Sequence, residues 1–369
     1  MTSALHSNYV IDGVPQELTP AQILGNCGCP VPCAGEPCDP VVDENCEPGL
    51  DAIRFETYDP EVYLEKILKT KRKLPVAFAG NFTRGRIAGA ILDTIGLAGH
   101  FKIGDLALAF SWSLDMSGVG NMAAFYHSVE AAGDYLGDLG LEMDRFELSE
   151  GEECSLEVRA CLARNDAPED IFVDQPYRSM SPVMGASGIP GVLDADPQSW
   201  LVYIPFDTAD YRLGGSMFAQ ATGQKGGVDP LIQDADYFID CFEVVRELVE
   251  DGVAVAAATV LDGGLLTAVE RMTKGGTGVS VDISDMIRAF KEKNVIRLLF
   301  AEIPGVLIQV RDSDFDYVDA ELLLQDVAYF PLGHPLDNGG KVCLKSSAKT
   351  GLQNILESLI RNQGGEGED

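Results

Sequence analysis

Short apolar runs alternate with amphipathic segments throughout the second half of this 369-residue chain. Residues 200–206 have the length of a buried strand, and residues 236–250 carry apolar side chains every three or four positions. The apolar run 253–260 and the amphipathic segment after Gly264 repeat this order. Alternating strand and helix signals predict a sheet layered with helices, so the expected fold class is α+β or α/β.

The first half shows the same signals less regularly. A helix is expected to start at Asp59, which can cap it, because Pro60 suits the first helical position. Further helices are predicted at 86–97 and 121–139. Lengths and alternation typical of strands occur at 106–112, 141–148 and 154–162.

Composition divides the chain into five segments. Residues 1–57 hold many Pro and Gly and few periodic apolar positions, which indicates an irregular, cysteine-rich arm. Residues 58–165 and 198–346 are expected to form two domains, joined by a Pro- and Gly-rich linker at 166–197. Residues 347–369 predict a C-terminal helix that runs into a disordered acidic tail.

The charge balance excludes some partners. The chain has 27 basic and 58 acidic residues, a net charge of −31, and such a field repels phosphate backbones, so no nucleic-acid partner is expected. No apolar run approaches the roughly 18 residues of a membrane span, and residues 1–20 lack a secretory signal. We therefore expect a soluble protein with no membrane insertion, cytoplasmic by default, with an organelle interior left open.

Three motifs in the second half carry a family resemblance. They are Arg-Leu-Gly-Gly-Ser-Met-Phe-Ala-Gln at 212–220, Asp-Gly-Gly-Leu-Leu at 262–266, and Leu-Phe-Ala-Glu at 299–302 followed by Pro-Gly-Val at 304–306. Together they resemble the last AIR-synthetase-like unit of the large type of formylglycinamidine ribonucleotide synthetase. The resemblance covers roughly residues 60–345. It implies a sheet-plus-helices N-terminal domain and an α/β C-terminal domain.

The resemblance also implies an ATP-dependent reaction, in which ammonia from a separate glutaminase displaces an activated formylglycinamide oxygen. Such chemistry needs oxygen ligands for Mg²⁺. The family's Glu and Asn ligands align with Ile91 and Ile95. Its His-Asp-x-Ser-Asp-Gly-Gly element aligns with 258–264, where the His, the first Asp and the Ser are replaced. Its Gly-Lys-Asp-Ser element falls near 146–149, without the Lys and Asp.

What survives of the nucleotide site is a short set of residues. This vestigial cofactor-binding set is Asp262, Gly263, Gly264, Gly214 and Gly215. We expect the glycines to serve close turns and Asp262 to cap a helix. No catalytic residue and no bound cofactor are predicted, and Mg-ATP would be required only if the chain were an enzyme.

Nine cysteines raise a second question. Five crowd between residues 27 and 46, and four of them, Cys27, Cys29, Cys33 and Cys38, could hold a thiophilic metal such as zinc. Disulfides and a thiol-rich arm that docks on a partner are the other interpretations. The dispersed cysteines are expected to be reduced core thiols. These are Cys154, Cys161, Cys241 and Cys343.

Two functions follow. The first is a noncatalytic relative of phosphoribosylformylglycinamidine synthase that acts as a structural or accessory subunit of a protein complex. The second is a divergent purine-biosynthesis enzyme, completed by partner subunits because the chain has neither a preceding copy of the unit nor a glutaminase. Family units pack in pairs, so a lone copy is expected to expose a large apolar sheet face and to form a homodimer or join another protein.

Overall fold

The computed structural model describes residues 2–32, 38–162 and 188–345. Most of the linker predicted at 166–197, the helix and tail predicted at 347–369, and Cys33 lie outside the described residues. Within the described ranges, no helix is long and apolar enough to cross a membrane.

The N-terminal residues 2–32 are folded and are not an extended arm. Their elements, with the strand that completes their sheet, are α1 (Thr2–His6), β1 (Tyr9–Ile11), β2 (Val14–Pro15), α2 (Pro20–Asn26) and β3 (Val41–Asp43). Strand β1 pairs antiparallel with β2 and parallel with β3. Tyr9 and Leu24 are fully buried in the main core. The expected irregular arm is therefore wrong for residues 2–32, because their few apolar side chains pack on the body of the protein.

The next unit is a three-stranded sheet with helices on one face. Its helices and strands are α3 (Pro60–Lys69), a 3₁₀ turn (Val76–Phe78), α4 (Ala79–Leu92), a 3₁₀ turn (Ile103–Asp105), β4 (Leu106–Leu114), α5 (Asn121–Leu139), β5 (Glu142–Glu150) and β6 (Ser155–Leu162). Central β4 runs parallel to β5 and antiparallel to β6. Trp112 of β4 is fully buried and donates from Nε1 to Ser128 Oγ of α5 at 2.8 Å. Helices α4 and α5 thus cover the apolar side of the sheet, whereas Tyr63 and Ile67 of α3 belong to a separate core.

The opposite face of this sheet is polar. Ser111 on β4 pairs with Glu147 on β5 and with Glu157 on β6, and Ala109 and Ser113 are its neighbours on that face. Both glutamates are exposed. The expectation of a large exposed apolar face is therefore wrong for this sheet, because its outward positions carry small and charged side chains that remain hydrated.

Residues 200–344 form a second layered unit. Its elements are β7 (Trp200–Pro205), α6 (Met217–Ala221), α7 (Ala235–Glu250), β8 (Ala254–Val260), α8 (Gly264–Met272), a 3₁₀ turn (Thr273–Gly275), β9 (Gly278–Val281), α9 (Ser284–Phe290), α10 (Val295–Phe300), β10 (Gly305–Val310), α11 (Asp312–Leu324), β11 (Phe330–Gly333), β12 (Pro335–Leu336) and β13 (Val342–Leu344). The main sheet has the order β11-β7-β10-β8 with antiparallel neighbours. A smaller sheet has the order β12-β9-β13. The predicted helix-layered sheet is confirmed.

The two faces of the main sheet bury different partners. Val202 and Ile204 of β7 belong to the core that includes α4, α5 and α7. Leu201 and Tyr203, the alternate residues, belong to a second core with α8 and α10. Side chains along a strand point to opposite faces, so one short strand contributes to both cores. The first core is continuous between the two units.

The end residues of three helices show how each is capped. Asp59 caps α3 by accepting from the backbone N–H two residues on, at 3.1 Å, so the prediction of that cap is confirmed. Gly252, after α7, has a left-handed backbone with φ +70°, which is typical of a residue that ends a helix. Ser284 is the first residue of α9, and its N–H donates to the Asp282 carboxylate at 2.9 Å.

Candidate functional site

Four charged side chains from distant parts of the chain meet beside the end of β8. Asp262 follows β8, and Glu302 follows α10. Arg86 lies in α4, and Arg72 lies in the connection between α3 and α4. None of these side chains is more than 16% exposed. Charges so far from water are retained in proteins only when they are paired.

The pairing is close. Arg86 Nη1 donates to both carboxylate oxygens of Asp262, at 2.8 and 2.9 Å. Arg72 Nη2 lies 3.1 Å from the nearer of those oxygens and also contacts the Glu302 carboxylate. Arg271 donates to the main-chain carbonyl of Asp262 at 3.1 Å. Two guanidinium groups therefore satisfy Asp262, and one of them also pairs with Glu302.

Glu302 joins the three sequence motifs. Its Oε1 accepts from the N–H of Gly263 at 2.7 Å and from the N–H of Met217 at 3.0 Å. The Met217 N–H belongs to the 212–220 motif, and Gly263 belongs to the 262–266 motif. The motifs that are far apart in sequence thus converge on one carboxylate.

The electrostatics of the cluster keep Asp262 charged. Burial alone would raise the pKa of this carboxyl, but the nearby guanidinium groups of Arg72, Arg86 and Arg271 outweigh it. The net effect is a pKa far below the usual value. Asp262 is therefore an ionised group with internal counter-charges.

The surviving glycines serve the backbone, as expected. Gly263 and Gly264 have φ of +77° and +73°, and a Cβ on Gly264 would lie 2.6 Å from the Phe300 Cα. Gly215 has φ +68°, and a Cβ on Gly214 would lie 2.6 Å from the backbone of Val228. These positions favour glycine because a side chain would collide or be strained.

Asp262 does not have its expected role. The N-cap of α8 is Gly263, and no side chain caps this helix. The Asp262 carboxylate instead bonds to Arg86 and contacts Arg72. The prediction of a helix cap is therefore wrong, because two cations that are distant in sequence compete for the same oxygens.

The cleft beside these residues is small. Its walls include Arg72, Arg86, Gly214, Gly215 and Glu302, and its volume is about 30 Å³. Pockets for small ligands occupy about 300–1,000 Å³, so this space suits a few water molecules. Mg²⁺ also requires several oxygen donors with free lone pairs, whereas the Asp262 oxygens already accept from arginine. The cleft at Asp262 therefore offers neither the space nor the free carboxylate lone pairs that a metal-bound nucleotide needs there.

The positions that the resemblance aligns with the family's metal ligands are buried or half-buried. Ile91 and Ile95 are buried in the main core. Thr259 Oγ1 donates to the Asp93 carboxylate at 2.7 Å. Leu261 packs over α4, where a Cβ on Gly89 would lie 2.7 Å from its side chain. Apolar side chains and the Thr259–Asp93 hydrogen bond occupy this region.

Sequence reasoning missed Arg72, Arg86 and Glu302 as site residues. Arg86 had a usable signal, because it is a charged residue directly before the run 87–92, which contains only apolar residues and glycine. Its partner could not be read from the sequence, since Asp262 lies 176 residues away.

The cysteines do not gather into one cluster. Cys46 lies beside Gly120, the N-cap of α5, and Cys27 lies beside Gly133, in the second half of that helix. Thirteen residues of helix separate these two positions by roughly 20 Å, so the five cysteines cannot share one ion. Among the described residues, no group of three or more His, Cys, Asp or Glu is arranged to hold a metal. A zinc site at Cys27, Cys29, Cys33 and Cys38 stays a prediction.

The dispersed cysteines divide into two kinds. Cys154 and Cys241 are buried free thiols, as expected. Cys161 and Cys343 are exposed, so the prediction of core thiols is wrong for them. Both lie on edge strands, β6 and β13, where one side of the residue faces water.

Comparisons with known proteins agree with the motifs. Residues 207–325 match the family model for the C-terminal domain of AIR synthase related proteins. Phosphoribosylformylglycinamidine synthase of Drosophila melanogaster is 33% identical over 160 residues, which are 41% of this chain and 12% of that protein. The human enzyme of the same name is 24% identical over 252 residues, 68% of this chain and 18% of that protein. The chain thus spans less than a fifth of these relatives.

A solved structure extends the likeness to the fold. Thermotoga maritima PurL complexed with FGAR superposes with a TM-score of 0.51 and 16% identity, over 75% of this chain and 43% of that chain. The resemblance expected from the sequence is confirmed. The two-domain AIR-synthetase-like fold is confirmed with it.

Proposed function

We propose that this chain, a relative of phosphoribosylformylglycinamidine synthase, is a noncatalytic subunit that works through association with other proteins. One observation carries the proposal: the carboxylate of Asp262 is buried and neutralised by Arg86 and Arg72. The fold is retained, while the surviving acidic residue of the nucleotide site is used as a structural ion pair.

The energetics of ion exchange support this proposal. For Mg²⁺ to bind Asp262, the Arg86 guanidinium would have to leave both carboxylate oxygens. The buried guanidinium groups of Arg86 and Arg72 would then lie beside Mg²⁺ without their carboxylate partner. An unpaired buried charge costs several kcal/mol. The ion pair within the protein is therefore favoured over the metal.

The packing of Leu261 supports it as well. Leu261 lines the small cleft with Ile232, and its side chain lies over α4. A triphosphate would need polar donors and open space at this position. Because apolar side chains occupy this position, the cleft lacks the polar donors and the open space that a triphosphate would need.

Mg-ATP binding can be tested by thermal unfolding. We expect no change in the melting temperature of the full chain with Mg-ATP, Mg-ADP or Mg²⁺ alone. A nucleotide present at 100 times its dissociation constant would stabilise the protein by about 2.7 kcal/mol, a shift of several degrees. A shift that appears in the wild type and is lost in Asp262→Asn would overturn the proposal and support the alternative, an ATP-dependent enzyme of purine biosynthesis.

Association is tested separately. Light scattering of the purified chain and affinity capture followed by identification of the co-purifying chains measure it directly. We expect a homodimer or a defined complex with other proteins. A 39.6 kDa monomer that retains no reproducible partner would contradict the subunit role.

A further inference from the structure

Helix α11 is held to the body of the protein by one side only. Val318 and Leu322 are its buried side chains, and both belong to the main core. Phe315 packs on Trp200 of β7, with the ring centroids 4.9 Å apart. Positions 315, 318 and 322 are three and four residues apart, so they lie on one side of the helix. That side anchors α11 and leaves the opposite side open.

The opposite side of α11 carries apolar side chains that face solvent. Tyr317, Leu323 and Leu324 are 46%, 63% and 78% exposed. Tyr317, Ala320 and Leu324 are spaced three and four residues apart, so they form one exposed stripe along the helix. Among the described residues, no other helix carries more than one large apolar side chain that is exposed. Single exposed apolar residues are ordinary, but a second apolar stripe is typical of a helix that packs on both sides.

Carboxylates border this stripe. By helical position, Asp316 lies along one edge of it and Glu321 along the other. Glu321 raises the pKa of the Tyr317 hydroxyl, and so do Asp251 and Glu247 from the neighbouring helix α7. The negative charge around Tyr317 therefore comes from two helices.

The cations of these two helices are already paired. Arg246 is the only Lys or Arg within α7, and it is buried and donates to Glu250 at 2.9 Å. Arg311 is the only Lys or Arg between residues 298 and 340, and it lies 3.5 Å from Asp314. Helices α7 and α11 thus offer no free counter-charge to the carboxylates beside the stripe.

We propose that the stripe Tyr317–Ala320–Leu324 binds a basic amphipathic helix of another protein. Helices that dock in this way use apolar side chains three and four residues apart, which is the spacing of the stripe. Lys and Arg side chains on such a helix would pair with Asp316 and Glu321 at the two edges. This inference rests on the proposed role in association and names the chemistry of the partner.

Charge disfavours the other occupants of this surface. A second copy of the chain has a net charge of −31 and presents the same acidic stripe, so face-to-face pairing would bring like charges together. Phosphate backbones and anionic lipids are repelled by the same carboxylates. A basic partner is the one that gains from both the apolar stripe and its borders.

Fluorescence anisotropy with the full chain tests this proposal. The probe is a labelled synthetic helix of Leu and Lys with its leucines three and four residues apart, and a Leu and Glu helix of the same pattern is the charge control. We expect the Leu and Lys helix to bind and the Leu and Glu helix not to bind. Tyr317→Ser and Leu324→Ser should each weaken binding roughly tenfold, the loss typical of a central apolar contact.

The matched controls lie on α3, an exposed helix of the other unit. Val62→Ser removes a side chain that is 41% exposed, and Glu61→Lys is compared with Glu321→Lys. We expect only the α11 variants to weaken binding. Equal losses on the two helices, or none, would overturn the proposal, because the probe would then sense only the overall charge of the chain. Leu324→Ala replaces Leu324→Ser if urea unfolding shows that the serine variant is less stable.

Photo-crosslinking identifies the occupant. Benzoylphenylalanine in place of Ala320 in the full chain should crosslink to the Leu and Lys helix. A crosslink to a second copy, or to residues 346–369 of the same chain, would overturn the proposed partner. A natural complex that Tyr317→Ser and Leu324→Ser leave intact would overturn this surface and keep the subunit role, whereas a chain with no partner at all contradicts that role itself.

Discussion

Arg86 and Asp262 form a two-point ion pair in the interior, with one guanidinium nitrogen 2.8 and 2.9 Å from the two carboxylate oxygens. The pair connects α4 of the first unit to the end of β8 in the second. The Asp262 carboxylate, which could have bound a cation from solution, thus pairs with Arg86 and links the two units.

Removal of Arg86 should destabilise the protein strongly. Arg86→Met leaves the buried Asp262 short of a counter-charge, and breaking such a pair costs about 3–5 kcal/mol. Urea unfolding at pH 7 measures the loss. Arg212→Met is the control, because Arg212 pairs with Asp210 at 2.9 Å on the surface, where such pairs contribute about 0–1 kcal/mol. Equal losses in the two variants would contradict the structural role of the buried pair.

The contribution of the Asp262 ion pair to the free energy of unfolding should depend on pH. The native pKa is lowered, while the unfolded value is about 3.9. The ion-pair stabilisation is therefore complete above the unfolded pKa and is lost as the pH falls below about 4 toward the native pKa. We expect the difference in unfolding free energy between the wild type and Asp262→Asn to be constant from pH 7 to 5. This difference in unfolding free energy should shrink at pH 3. A difference that is larger at pH 3 than at pH 7 would contradict the lowered native pKa.

The charge on Asp229 should affect stability in the opposite direction to the charge on Asp262. Burial raises the pKa of this carboxyl, although Asn81 donates to it at 2.5 Å. A raised native pKa means that ionisation at neutral pH costs stability, and that the cost disappears as the pH falls. Asp229→Asn should therefore be more stable than the wild type at pH 7, and its advantage should decline toward pH 4. A destabilised variant at pH 7 would contradict this.

Gly264 should tolerate no side chain. A Cβ there would lie 2.6 Å from the Phe300 Cα and 2.7 Å from the Leu299 carbonyl oxygen, at φ +73°. Gly252 has a similar φ of +70° but no atom within 4 Å of its Cβ position. Gly252→Ala should lower the free energy of unfolding by about 1–2 kcal/mol, the cost of the left-handed backbone alone. Gly264→Ala should lower it clearly more, because its Cβ would also collide with α10. Chemical unfolding of both variants measures the two losses, and equal losses would mean that the collision with α10 is absent.

Thiol labelling should separate the cysteines. Cys241 is buried, and burial raises the pKa of its thiol to about 12. Because the thiolate is the nucleophile, Cys241 should resist maleimide at pH 7.5 until the protein unfolds. The exposed Cys343 should react in the native state. Peptide mapping after graded labelling measures both rates, and early modification of Cys241 would contradict its burial.

Some of the fold followed from local pattern. Helix α5 spans the predicted residues because its apolar positions recur at helical spacing and Gly140, at φ +66°, ends it. Helix α4 was displaced in the prediction, which began at Arg86. Residues 85–92 are all buried, so this half of the helix has no solvent-facing polar side and shows no periodicity that marks where α4 starts.

The sequence by itself determined the features that depend on near neighbours. These are the strand and helix alternation, the glycines of the close turns and the motifs that carry the family resemblance. The tertiary structure decided the rest: the burial of Tyr9 and the pairing of Asp262 with Arg86. The physical reason is that water surrounds a charge or an apolar side chain in the unfolded chain, wherever its future partner lies. Folding removes both from water, and only then does the charge need a counter-charge and the apolar side chain a packing partner.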